Sequence, residues 1–158
     1  METIFLSLGS NLGDRSTNLA KAVEALPPAV RVLAVSPIYQ TEPWGYMEQP
    51  AFLNQVIQAD TDLAPEKLLT YLKNIEISIG RKTTFHYGPR LIDIDILFYG
   101  QQIINKDSLT IPHPHLHLRT FVLVPMADLA PSFRHPVLGL TIAEMLAQLD
   151  TAGVSAYL

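Results

Sequence analysis

Two carboxylates two positions apart, Asp93 and Asp95, are the residues of this 158-residue chain best suited to chemistry. They lie in the run Ile92-Asp93-Ile94-Asp95-Ile96-Leu97-Phe98-Tyr99, closed by Gly100. β-branched and aromatic residues dominate it, so it predicts a strand. Side chains alternate between the two faces of a strand. Ile92, Ile94, Ile96 and Phe98 then share one face, which must meet a core. Asp93, Asp95, Leu97 and Tyr99 share the other. The strand rise sets the two acidic Cα atoms roughly 6.5–7 Å apart. Like charges that close disfavour one another unless a cation sits between them. Arg81 and Arg90 lie just upstream, in a loop marked by Gly88-Pro89. This set suits metal-assisted phosphoryl chemistry. Mg²⁺ prefers hard oxygen ligands and binds through one or two carboxylates plus the phosphates of a substrate. An acidic pair can hold two metals about 3.5–4 Å apart, and guanidinium groups fork onto phosphate oxygens. The competing reading is a half-buried strand with a polar outer face, although Asp is depleted in strands.

Several function classes fall away on composition. An apolar fraction of 48% fits one globular domain over residues 1–158 and argues against disorder. There is no cysteine, hence no disulfide framework and no thiolate metal site, which fits a reducing cytoplasm. Thr3 to Leu8 is too short for a signal segment, and no run of about 18 apolar residues exists to span a membrane. The formal charge of −4 argues against broad nucleic-acid binding. An anionic ligand would need a local cationic site, and Arg81, Lys82 and Arg90 form the best cluster.

The elements that must position these groups follow from periodicity. Thr3 to Leu8 predicts a first strand. The loop Gly9 to Gly13 reads either as a weak phosphate cradle, lacking the Lys-Ser/Thr ending of a P-loop, or as a simple strand-to-helix turn. Asp14 is placed to cap a helix whose apolar stripe is Leu19, Ala22, Val23 and Leu26, stopped by Pro27-Pro28. Val30 to Tyr39 predicts a second strand, with Pro37 marking an edge or bulge. The following loop carries Trp44 and Tyr46, which either contact a ligand or fold back onto the core. Phe52 to Asp60 predicts a third strand, with Phe52, Asn54, Val56 and Gln58 on one face. Asn54 offers a donor and an acceptor for reading a heterocycle edge, or is merely solvated. Pro65 opens a second helix with stripe Leu68, Leu69, Leu72, Ile75 and Ile79, ended by Gly80; Lys73 and Glu76 lie off the stripe.

The order β-α-β-β-α-β is the ferredoxin-like arrangement. It predicts an α+β fold, with both helices on one face of an antiparallel sheet and the Asp face open to a ligand. Beyond Gly100, Ile103-Ile104 predicts a short hairpin. C-terminal helical additions follow: Thr120 to Leu129, despite Pro125, and a last helix through Leu149 that opens on a Thr141–Glu144 capping box. His113, His115 and His117 could ligate zinc if extended, contact phosphate, or sit in a polar loop.

Several stretches resemble the 6-hydroxymethyl-7,8-dihydropterin pyrophosphokinase family. They are His86-Tyr87-Gly88-Pro89-Arg90-Leu91-Ile92-Asp93-Ile94-Asp95-Ile96-Leu97; Gly9-Ser10-Asn11-Leu12-Gly13-Asp14; Thr41-Glu42-Pro43; Gln49-Pro50-Ala51-Phe52-Leu53-Asn54; and Pro112-His113-Pro114 through Arg119 and Phe121. They occur in the family's order and cover almost the whole chain. The resemblance implies pyrophosphate transfer from ATP, as co-substrate, to the hydroxymethyl group of the pterin, with release of AMP. It implies two Mg²⁺ ions on Asp93 and Asp95, and Arg81 and Arg90 acting on the phosphates. Thr41, Pro43, Trp44, Phe52, Asn54, Tyr87 and Phe121 would form the pterin pocket. Lys73, Glu76, Ile96, Thr110, His113 and Arg119 would face ATP. A monomer in the cytoplasm, with no nucleic-acid or membrane partner, is expected. The chain departs from the pattern in places. Tyr87 stands where some members have Trp, Phe52 where some have Tyr, and His115 and Leu118 where Arg and Glu are expected. A metal-dependent phosphohydrolase and a non-catalytic ion-binding module are the alternatives; the Asn54 pocket is superfluous to the first.

Overall fold

The computed structural model describes residues 1–41, 50–80 and 91–157. In chain order its elements are β1 (Glu2–Ser10), α1 (Arg15–Ala25), β2 (Val30–Val35), β3 (Tyr39–Thr41), β4 (Phe52–Thr61), α2 (Pro65–Ile79), β5 (Asp93–Tyr99), β6 (Ile104–Lys106), β7 (Leu109–Ile111), a 3₁₀ turn (Leu116–Leu118), α3 (Thr120–Leu129), α4 (Ile142–Leu146) and β8 (Val154–Ala156). This is an α+β fold. β1 sits between β4 and β5, antiparallel to both. β2 and β3 pair in succession along the other edge of β4, and β8 pairs with β3. β6 and β7 form a separate hairpin. Among the described residues, no helix is long and apolar enough to cross a membrane.

Local signals place the two long helices. The Asp14 side chain accepts from the Thr17 N–H at 3.2 Å and caps α1; that bond holds its carboxyl below the usual range. Pro65 opens α2, and Gly80, with φ 105°, ends it in the left-handed conformation that glycine adopts without strain. Both helices pack on one face of the sheet. Leu19 and Ala22 of α1, with Leu68, Leu72 and Ile75 of α2, meet Ile4, Leu6, Leu8, Leu53, Ile57, Ile94 and Ile96.

Four expectations need correction. The single strand Val30 to Tyr39 is two, broken at Ser36-Pro37-Ile38 because Pro37 has no N–H for the ladder. The last helix stops at Leu146, not Leu149, because Gln148 and Leu149 bond back three residues instead of four. The sheet face bearing the acids is not wholly open. Val122, Leu123 and Met126 of α3, with Ile142 and Met145 of α4, pack there on Phe5, Val56, Leu97 and Phe98. Finally, strict alternation fails at the end of β5. The register steps from Leu6 opposite Ile96 to Phe5 opposite Phe98, leaving Leu97 as an extra residue. This β-bulge turns Leu97 and Phe98 to the α3 side and Tyr99 to the α1–α2 side, the reverse of the assignment for Phe98 and Tyr99.

β8 was not foreseen; its three residues are too few to show a period. Pro125 has no N–H to give the Phe121 carbonyl, yet α3 persists because Val122, Leu123 and Met126 are buried on either side of it.

The bulge makes a prediction. Leu97→Ala leaves the register intact and should cost about 2–5 kcal/mol in urea unfolding. Deleting Leu97 restores strict alternation, with Phe98 still opposite Phe5 and Tyr99 still opposite Ile4, so it removes only the Leu97 side chain from the second core and should cost about the same with unfolding still cooperative. A deletion variant that loses cooperative unfolding would show that the bulge itself is required.

Candidate functional site

The sheet register brings the sequence-predicted residues into rows. Asp93 of β5 lies opposite Gly9 of β1, Gly9 opposite Asn54 of β4, and Asn54 opposite Tyr39 of β3. Asp95 lies opposite Ser7 in a neighbouring row. Directly paired residues in an antiparallel sheet share a face, so Asp93 and Asn54 stand about 10 Å apart on the same side, two strand spacings across Gly9. Gly9 leaves a gap between them. A Cβ there would stand 3.2 Å from Asn54 Nδ2 and 3.6 Å from Phe52 Cδ1. The gap is therefore walled by an aromatic ring and a carboxamide. Asn54 is only 4% exposed, and its Oδ1 is buried without a hydrogen-bond partner among the described residues. An acceptor left in that state costs about 1–3 kcal/mol until a donor reaches it.

A second recess lies along the outer side of β5. This cleft, of about 230 Å³, is lined by Leu69 and Lys73 of α2, Ile94, Asp95 and Ile96 of β5, Asp107 to Thr110 of the β6–β7 hairpin, and His113 and Pro114. It unites Lys73, Asp95, Ile96, Thr110 and His113 from the expected set. It also adds Leu69, Asp107, Ser108 and Leu109, which no motif marked, because the hairpin reaches β5 only through tertiary packing. Asp95 lines this cleft while Asp93 heads the row toward Asn54, so the acidic pair stands where the two recesses meet.

Glu76 does something that its place off the apolar stripe did not indicate. Its side chain is 1% exposed, and Oε2 accepts from the backbone N–H of Ile94 at 2.7 Å. Ile94 is the residue between the two aspartates. Lys73 Nζ lies 3.4 Å from the other oxygen, Oε1. A hydrogen bond to a charged group contributes about 1.5–3 kcal/mol, so α2 fixes the backbone on which both carboxylates stand.

His113 is held from both directions. Its N–H donates to the Leu97 carbonyl at 3.0 Å, and its Nδ1 accepts from the His115 N–H at 3.2 Å. With Nδ1 an acceptor, the neutral ring carries its proton on Nε2. Burial, then Arg119 and His115, push its pKa down to about 4. Among the described residues no three His, Cys, Asp or Glu side chains are grouped as metal ligands, so the three histidines do not assemble a zinc site. The acidic pair supplies two hard oxygen donors, the number that Mg²⁺ takes from a protein when phosphates complete its shell.

The remaining residues divide in two. Arg119 holds its guanidinium 5.7 Å from the Phe121 ring centroid, at the start of α3. Thr41 donates its hydroxyl to the Gly153 carbonyl at 3.3 Å. Pro43, Trp44, Arg81, Tyr87 and Arg90 lie outside the described residues.

Fold and site together define an α+β protein with two recesses meeting at an acidic pair. The family model described as 7,8-dihydro-6-hydroxymethylpterin-pyrophosphokinase (HPPK) matches residues 5–131, and the chain belongs to this family. It is 42% identical over 137 residues to the 2-amino-4-hydroxy-6-hydroxymethyldihydropteridine pyrophosphokinase of Aquifex aeolicus, covering 87% of this chain and 86% of that protein. Its likeness to the Methylorubrum extorquens protein of the same name is 43% over 156 residues, 98% of each. It is also 44% identical over 149 residues to the folic acid synthesis protein fol1 of Pneumocystis carinii, covering 94% of this chain but spanning only 20% of that protein. A Plasmodium falciparum HPPK-DHPS structure with pterin and p-hydroxybenzoate shares the fold, with a TM-score of 0.75 at 18% identity over 93% of this chain and 41% of that one.

The lowered pKa of His113 sets a pH dependence. Between pH 6.5 and about 4 the unfolded chain takes up this proton while the folded chain does not. Stability should therefore fall as pH is lowered through that window. His113→Asn should show a shallower fall in urea midpoint between pH 7 and pH 5, the remainder including His135, whose burial also lowers its pKa. Equal slopes in the two proteins would contradict the assignment.

Proposed function

We propose that this chain transfers pyrophosphate from ATP to the hydroxymethyl group of 6-hydroxymethyl-7,8-dihydropterin, releasing AMP, in folate biosynthesis. The observation that carries the substrate reading is the buried Asn54 carboxamide, whose Nδ2 faces the Gly9 gap and whose Oδ1 has no partner among the described residues. A pterin presents N–H donors along one edge of a flat ring, so it can satisfy that oxygen while its faces meet Phe52 and Phe121. Thr41, Pro43, Trp44 and Tyr87 complete the pocket in this reading.

ATP occupies the cleft. Leu69, Ile96 and Leu109 offer apolar walls for the base, while Lys73, Thr110, His113 and Arg119 supply donors and positive charge. Glu76 acts through Ile94 and Lys73, as a brace more than a contact. The phosphates and the pterin hydroxyl converge at Asp93 and Asp95, whose carboxylates would hold the two Mg²⁺ ions, with Arg81 and Arg90 on the phosphates. When bound, Mg²⁺ neutralises phosphate charge and lowers the pKa of the attacking hydroxyl. The chain's own task is to align hydroxyl and β-phosphorus and to keep water out. The strand order β5-β1-β4-β2/β3, with α1 and α2 on one face, supports the ferredoxin-like reading of the core, with α3, α4 and β8 as additions.

Incubation with Mg-ATP, with and without the pterin, tests this. Pterin-dependent AMP is expected. Pterin-independent inorganic phosphate would favour a phosphohydrolase, and no turnover a binding module. Asp95→Ala should lower kcat by more than about 100-fold, beyond what loss of an outer metal contact costs, with its circular dichroism unchanged.

Gly9→Ala should raise KM for the pterin by about tenfold or more, because small misplacements of a bound substrate cost that much. Its KM for ATP should hold. Equal changes in both constants would mean that the gap does not belong to the pterin.

A further inference from the structure

Outside the two recesses, one cationic side chain joins three separate segments. Arg15, the first residue of α1, donates through Nη1 to the carbonyl of Ala51, 2.8 Å away. Ala51 immediately precedes Phe52 and stands three residues before Asn54. The same guanidinium lies over the Tyr157 ring, 5.8 Å from its centroid. Tyr157 follows β8, which pairs along β3, and its N–H donates to the Ile38 carbonyl at 2.9 Å. From the same segment, the Gly153 carbonyl receives the Thr41 hydroxyl. Beside Arg15, the fully buried Asn11 donates through Nδ2 to the Pro50 carbonyl at 3.1 Å.

β3 ends at Thr41, and Pro50 and Ala51 lead into β4 at Phe52. The first point is held by the C-terminal segment and the second by the β1–α1 turn. Arg15 links the two holds. A guanidinium can do this because it offers a planar fork of donors at its edge and a cationic face for an aromatic ring. Helix physics does not call for it, since positive charge in the first turn of a helix opposes the macrodipole. Its tertiary contacts account for its position.

We propose that Arg15 is a positioning residue for the pterin end of the site, coupling the C-terminal strand to the start of β4 and so holding Phe52 and Asn54 over the Gly9 gap. This rests on the pterin reading of that gap. The full-length chain with Arg15→Met and with Arg15→Lys tests it in two ways. Amide exchange needs no substrate. In Arg15→Met, protection should fall together at Phe52–Asn54 and at Val154–Ala156, while the amides of β5 keep theirs. In steady-state kinetics, Arg15→Met should raise the pterin KM by about tenfold and leave the ATP KM within about twofold. Arg15→Lys, which keeps a donor for Ala51, should recover most of that loss. Unchanged protection at Val154–Ala156, or pterin and ATP constants rising in parallel, would overturn the proposal. A wild-type chain that releases no pterin-dependent AMP from ATP would sink the functional reading, and the exchange result would still decide the coupling.

Discussion

β5 has to serve two hydrophobic cores and still present two carboxylates. Its first residues meet only one core, so alternation suffices there: Ile94 and Ile96 go to α1 and α2, and Asp93 and Asp95 go to the other side. Its last residues meet both cores at once. Leu97 and Phe98 both turn toward α3, opposite Phe5, and Tyr99 returns to the α1–α2 core. One extra residue reconciles these demands. Were all these residues to alternate strictly, Phe98 would turn to the α1–α2 core and Tyr99 to α3, and the phenylalanine pair Phe5–Phe98, with ring centroids 6.3 Å apart, would be lost. The acidic pair thus stands just before the point where the second core begins.

That placement ties the site to the core. The Glu76 carboxylate on the Ile94 N–H fixes the strand from one side, and the His113 N–H on the Leu97 carbonyl fixes it at the bulge. These are backbone contacts, so they hold both aspartates without touching either carboxylate. A rigid element supported by buried partners keeps reacting groups in place better than a loop does. Gly9 contributes by absence. A side chain there would fill the space between Asn54 and Phe52 and close the floor that joins Asp93 to Asn54.

Much of this was legible in the sequence, and for identifiable reasons. Asp14, Pro65, Gly80 and the Thr141–Glu144 box are local devices whose partners lie within four residues, and each acts where it was read. Strand alternation correctly set Ile94 and Ile96 against the helices and Asn54 on the face opposite Leu53. The failures are of another kind. The split at Pro37 was marked by its residue type, yet pairing resumes at Tyr39 between β4 and β8, segments far away in the chain. The coverage of the acidic face by α3 and α4 depended on long-range packing that no period encodes.

By itself, the sequence determined the order of elements, their caps, the sharing of one strand by two carboxylates and, through its motifs, the family. Those follow from short-range sterics, hydrogen bonding and periodicity. Only the tertiary structure decided which strands are neighbours, and hence that Asp93, Gly9 and Asn54 form one row. It alone showed that Glu76 braces β5 and that the β6–β7 hairpin closes a cleft against α2. The physical reason is that register and burial are settled between segments tens of residues apart. A bulge of one residue reverses which face a side chain occupies, and no local rule foretells it.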